Sequence, residues 1–144
     1  MLFSDIADYV RISPPFSDYK IDNAEGDVLC LSGKNITGRN ELNLSKCSLA
    51  LSGQFEQIDY IQRGDCIIVS TGSLDRIGNY YIYNLPMKAI LRTNMIVVRP
   101  KIDIDEFINI LNRKYFHMKT MAKSIPSPTL NRLHGTDLIF LEVD

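Results

Sequence analysis

The sequence predicts an α+β fold, a mixed α/β arrangement in which a twisted, mostly antiparallel or mixed sheet has helices packed at one side. Three observations carry this expectation. Residues 63–100 alternate apolar runs with polar glycine turns, as buried strands joined by loops do. Residues 103–115 carry a helical period instead, with Phe107, Ile108, Leu111 and Tyr115 on one face. The 144 residues, 45% hydrophobic with six Pro and eight Gly, match one compact domain over 1–144, without an internal repeat or a second domain. Strands and helices do not alternate regularly, so a parallel doubly wound sheet is not expected.

The elements follow in chain order. Leu2, Ile6, Tyr9 and Val10 recur at helical intervals and Ser4 can cap the start, which predicts a short helix over 2–10, ended by Ser13, Pro14 and Pro15. Residues 18–26 read as a polar loop, 27–31 as a strand, and 32–39, with Gly33 and Gly38, as a turn. Leu42 and Leu44 alternate weakly, and 49–59 carries no clear period. Tyr60 and Ile61 lead into the apolar run 66–69, bounded by Ser70, Thr71, Gly72 and Ser73. Residues 79–83 are aromatic and β-branched, and 94–99 ends in an apolar run closed by Pro100, which cannot donate to a ladder. Asp103 or Asp105 can cap the following helix, whose end would hold Arg113 and Lys114 against its dipole. Residues 116–122 predict a second helical segment stopped at Ile125-Pro126, residues 129–133 one more helical turn, and 138–143 a closing strand.

Composition narrows the functional classes. Three cysteines, Cys30, Cys47 and Cys66, are an odd number without CxxC spacing, so neither a zinc site nor a closed disulfide framework is suggested; Cys30 and Cys66 sit in apolar runs as small hydrophobes. The N-terminus lacks the pattern of a secretory signal and no segment is apolar enough to span a membrane, which predicts a cytoplasmic protein. A net charge of −1 argues against a large uniform positive field. The charge is uneven, however: residues 1–33 sum to −4 and residues 107–136, with Arg113, Lys114, Lys119, Lys123 and Arg132, to +5. The basic segment could meet phosphates or be ordinary solvated surface.

Catalytic constellations are thin. His117 ends a helix and His134 precedes Gly135, and the chain has no HExxH, GxSxG or phosphate-loop lysine pattern. No cofactor is expected. The polar loops suit nucleic-acid readout better, because base edges are read by Arg, Lys, Asn and Gln while Ser and Thr reach phosphates. Four segments offer that set: Lys34, Asn35, Thr37, Arg39 and Asn40; Ser73, Arg76 and Asn79, with Asp75 between them; Arg92, Thr93 and Asn94; and Ser127, Thr129, Asn131 and Arg132. Lys119 and Lys123 complete the candidate DNA-binding residues as phosphate contacts.

The order of motifs resembles the target recognition domain of type I restriction-modification specificity subunits. A Gly64-Asp65 pair runs through an apolar strand into a Gly72-Ser73 loop, and a later strand ends in Arg99-Pro100. Residues 3–15, 28–42 and 122–143 are similar to the opening helix, the strand and lysine turn, and the Ser-Ile-Pro-Ser turn with its closing strand, so nearly the whole chain is covered. The resemblance implies a target-recognition-domain-like fold and a non-catalytic module that reads one half of a bipartite double-stranded DNA site. It implies an adenine-specific DNA methyltransferase subunit as partner, with a restriction subunit a further candidate, and places any S-adenosylmethionine or ATP on those subunits. The family joins two such domains by long helices, and none follows Val143 here, so the expectation is a single half; a homodimer stays open. Two other classes remain: a protein-interaction module using Tyr80, Tyr81 and Tyr83 as an exposed patch, and an enzyme, for which the sequence shows no convergent polar groups.

Overall fold

The structure, a computed structural model, describes residues 1–10, 12, 14, 21, 24–125 and 127–144, the side chains of 123–130 excepted. The expected stop at Ser13 and Pro15, most of the loop 18–26 and Pro126 lie outside the described residues. The chain opens with α1 (Phe3–Ile6) and β1 (Ala7–Val10), followed by β2 (Val28–Leu31), β3 (Ile36–Gly38), β4 (Glu41–Leu42) and β5 (Ser48–Ala50). Next come β6 (Cys66–Ile68), β7 (Thr71–Gly72), β8 (Tyr80–Ile82), β9 (Lys88–Leu91) and β10 (Ile96–Pro100). The long helix α2 (Ile104–Met121), β11 (Lys123–Ile125), β12 (Ser127–Arg132) and α3 (Gly135–Ile139) complete it. Single 3-10 turns lie at Gly33–Asn35, Ser52–Gln54 and Gln57–Asp59. The fold is α+β.

A four-stranded antiparallel sheet, β1-β10-β6-β8, forms the centre. Strands β6 and β8 and most of β10 are buried on both faces, while Asp8 and Tyr9 of the edge strand β1 are exposed, and the two-residue period sorts the side chains. Cys66, Ile68, Tyr80, Ile82, Ile96 and Val98 point to one side, where Phe107, Ile110, Leu111 and Met118 of α2 cover them. Ile67, Tyr81, Tyr83 and Val97 point to the other, against Leu29, Leu31, Ala89 and Leu91 of a second sheet. That sheet has the order β5-β2-β9, with β2 antiparallel to β5 and parallel to β9. Its outer face is closed by Val28, Cys30, Ala50, Tyr60 and Ile90 with Ile21 and Phe55. Helix, sheet and sheet are thus stacked, with α2 on one side as expected. Tyr80, Tyr81 and Tyr83 are core residues, so the exposed tyrosine patch considered for an interaction module does not exist.

The Gly64-Asp65 and Arg99-Pro100 pairs, far apart in sequence, are one structural unit. Asp65 is fully buried; it accepts from Arg99 Nε at 2.8 Å, from Arg99 Nη2 at 3.2 Å and from the Gln62 amide at 3.0 Å. This fork ties the start of β6 to the end of β10, and the hydrogen bond raises the Arg99 pKa above its ordinary value.

Several sequence expectations are corrected. Residues 2–10 form one helical turn and then β1, because Ala7 and Val10 find a better partner in β10 than in a lone helix too short to be stable. The α1 cap is Leu2, whose amide donates to Asp5 Oδ2 at 2.7 Å, and not Ser4. Residues 32–39 hold a 3-10 turn and β3, not only a turn. The helix expected over 103–115 and the segment 116–122 are one continuous α2, which leaves Arg113 and Lys114 away from its end. Arg113 instead donates to the Val143 carbonyl. Residues 129–133 are not a helical turn; they lie largely in β12, paired with β11 and β7. Residues 138–143 do not form a strand; α3 ends at Ile139, and only Glu142 bridges, to Leu2.

Candidate nucleic-acid interface

Three chain segments leave the two sheets on one side. Because β2 and β9 are parallel neighbours, their C-terminal ends exit together, bringing residues 32–34 beside 92–94. Backbone and side-chain bonds fix this meeting: the Arg92 amide donates to the Leu31 carbonyl at 2.6 Å, and the Gly33 amide to Thr93 Oγ1 at 3.1 Å. The third segment continues β6 through Val69 and Ser70 into β7, which pairs with β12 and so sets Arg132 opposite Thr71. The Leu133 amide donates to the Ser70 carbonyl at 2.7 Å and holds that strand in place.

The three segments line a cleft of about 540 Å³. Its walls carry Lys34, Arg76, Arg92 and Arg132, with Thr71, Thr93 and Asn94 between them, and among the described residues no carboxylate lines it. Arg92 donates to Ser48 Oγ at 2.5 Å. Lys34, Arg76 and Arg132 are exposed and have no hydrogen-bond or ion-pair partner among the described residues. Four cations of one sign in a concave surface repel one another and focus a positive potential, which is the condition for holding an anion. Gly72 adds access: at φ 137 its backbone occupies a region that side chains rarely adopt, and nothing lies within 4 Å of where a Cβ would stand. A smaller hollow of about 340 Å³ shares Thr71, Asn94, Met95 and Arg132 and extends the cleft toward Tyr9 and His134.

Arg39 stands apart from this cleft. It follows β3, its guanidinium carbon 4.0 Å from the centre of the Tyr115 ring and 5.2 Å from that of Phe116. Phe116 is 68% exposed, so the stack is at the surface. The guanidinium has no hydrogen-bond acceptor among the described residues. Its planar fork is therefore pre-oriented by stacking and still available. Arg76 and Arg132 share the cleft, and Arg39 lies outside it, stacked against α2.

Several other candidate residues have their side chains engaged within the fold. Asn35 is buried; its Oδ1 accepts from the Ser32 amide and hydroxyl, and its Nδ2 donates to the Asn43 carbonyl at 3.1 Å. Asn40, at φ 56, accepts from the Ile82 amide at 2.9 Å, and buried Asn79 accepts from the Tyr115 hydroxyl at 2.6 Å. Lys119 Nζ donates to the carbonyls of Leu74, Asp75 and Ile77. Ser73 is exposed and its hydroxyl bonds the Asp75 carboxylate, the chief reason that group's pKa lies below the ordinary carboxylate range. Thr37 is exposed on β3. Asn131 pairs with Gly72 through the strand ladder, while the side chains of Lys123, Ser127 and Thr129 lie outside the described residues. Thr93, which the sequence offered beside Arg92 and Asn94, lines the cleft, whereas Gly33 and Thr71 were not among the expected site residues; the signal for them was their position at strand ends next to a candidate cation.

Among the described residues, no three His, Cys, Asp or Glu side chains group as a metal site, and no helix is long and apolar enough to cross a membrane. Burial drives the Cys66 thiol strongly upward in pKa, so it is unreactive in the core.

No protein-family model matches the chain, and no curated protein does. Among solved structures, the chain is similar to the S subunit of a type I restriction-modification system from M. genitalium, with a TM-score of 0.64 and 11% sequence identity. The match covers 99% of this chain and 33% of that one, so the chain spans about a third of the subunit's length. At this identity the likeness shows a shared fold, in which sheets and helices follow the arrangement of part of an S subunit.

Proposed function

We propose that this chain is a non-catalytic target recognition domain that reads one half of a bipartite double-stranded DNA site. The observation that carries the reading is the cleft in which Lys34, Arg76, Arg92 and Arg132 converge with no carboxylate in its lining among the described residues. Three of these cations are without a partner among the described residues, which suits them to phosphate oxygens. The S-subunit fold supports the same reading from an independent direction.

In this reading residues 1–144 act as one recognition unit in the cytoplasm, and the methyl transfer belongs to an adenine-specific DNA methyltransferase subunit. A restriction subunit joins the same assembly when cleavage is required. A bipartite target needs two recognition units, supplied by a second copy of this chain or by another domain. The cleft cations hold phosphates, whereas Arg39, stacked and pre-oriented, is suited to the O6 and N7 acceptors of guanine. Asn94, Asn131 and Thr37 are the remaining exposed or half-exposed polar candidates beside these two surfaces, and Lys123, Ser127 and Thr129 belong to the strands leading to Arg132.

Selection from a randomised duplex library tests the reading. The expected result is enrichment of one short sequence, with Arg39→Ala relaxing the preference at a guanine by about 1–3 kcal/mol. No enrichment at any salt concentration would refute it.

A further inference from the structure

Lys119 was expected from sequence to touch phosphate, and the structure occupies it otherwise. Its ammonium donates to three carbonyls of one loop, Leu74 at 2.8 Å, Asp75 at 3.0 Å and Ile77 at 2.7 Å. An ammonium has three protons to give, and all three acceptors come from the residues around Arg76. The same Nζ lies 4.5 Å from the centre of the Tyr115 ring, on which Arg39 also stacks. Tyr115 is in turn fixed by its hydroxyl on Asn79, where the loop ends.

The geometry assigns Lys119 the role of a positioning residue: it braces the Arg76 loop against α2 and sets the spacing between the phosphate cleft and the stacked Arg39. The inference rests on the DNA-reading proposal for its consequence, but its structural content stands on the loop alone. The loop has only a few internal bonds to hold it. The Arg76 and Ile77 amides donate to Ser73, and the Asn79 amide to Arg76. Leu74, Asp75 and Arg76 are exposed and only Ile77 is anchored in the core, so the tip of the loop has little apolar burial to hold it if the brace is lost. A cation whose protons are held by three carbonyls makes no direct phosphate contact in that position, so its removal is expected to leave the salt slope unchanged.

Hydrogen exchange and DNA binding together test this on full-length protein, with Lys119→Met, Lys119→Arg and Arg76→Ala. The expected result for Lys119→Met is faster exchange of the Arg76, Ile77 and Asn79 amides, with the β6 and β10 amides unchanged. Affinity for duplex DNA should fall about three- to tenfold, the cost of ordering a loosened loop, while the salt slope stays as in the wild type. Lys119→Arg, which keeps donors within reach, should restore both. Arg76→Ala should instead lower the slope by about one unit. Unchanged exchange in Lys119→Met, or a slope lowered by about one unit with exchange unchanged, would overturn the assignment and return Lys119 to the phosphate-contacting class. If the wild type binds no duplex DNA, the DNA reading fails and the role of Lys119 in spacing the two sites fails with it; the exchange data then decide only whether it braces the loop.

Discussion

Asp65 is the residue on which the centre of the fold depends most directly. Its carboxylate has no exposed surface, and the Arg99 guanidinium donates two hydrogen bonds to it. Arg99→Ala leaves the carboxylate with the Gln62 amide alone and, since Arg99 is half-buried and its removal admits water, is expected to lower the unfolding free energy by about 1–3 kcal/mol. A shift of the urea midpoint at constant m checks it. Two exposed carboxylates give a pH prediction of known sign. Asp27 is held below the ordinary value of 3.8, chiefly by hydrogen bonds from Ser52, and Asp75 likewise by Ser73. Because the folded pKa is the lower one, each contribution is complete above the unfolded value and is lost as pH falls through the folded value. Carboxyl NMR titration should show both groups titrating below free Asp, and Ser73→Ala should return Asp75 toward it.

At the scale of elements, legibility followed periodicity and length. The helix α2 was plain because Phe107, Leu111 and Tyr115 repeat at helical spacing behind an acidic cap. Asp103 does accept from the Asp105 and Glu106 amides, so Asp103→Ala should cost about 1 kcal/mol, read by thermal unfolding. The end of α2 was placed too early because nothing after Tyr115 breaks a helix until the chain meets β11. Strands β6, β8 and β10 were legible as apolar runs, since both faces of the central sheet are covered. Strand β9 was not: its four residues begin with Lys88 and offer too short a run, and only its parallel pairing with β2 defines it. Residues of β1 and β12 were misread for a related reason, since tertiary pairing overrode a local pattern that suited a helical turn.

For the whole molecule, the sequence held the ingredients of the site but not their distribution. Polar loops near strand ends were visible, and so were the cations. That Asn35, Asn40 and Asn79 spend their side chains on the backbone and on Tyr115 was not, because a polar residue in a turn looks the same whether it faces solvent or closes a loop. The convergence of Lys34, Arg76, Arg92 and Arg132 depends on the parallel β2-β9 pair and on β7 meeting β12, contacts that span much of the chain. In the proposed function this cleft holds DNA phosphates. The most direct test is the salt dependence of duplex binding in wild type, Arg76→Ala, Arg132→Ala and the double variant, each compared with Arg113→Ala outside the cleft. The account predicts that each cleft substitution lowers the slope by about one unit, additively, and that Arg113→Ala leaves it unchanged. Equal slopes in all five proteins would contradict it.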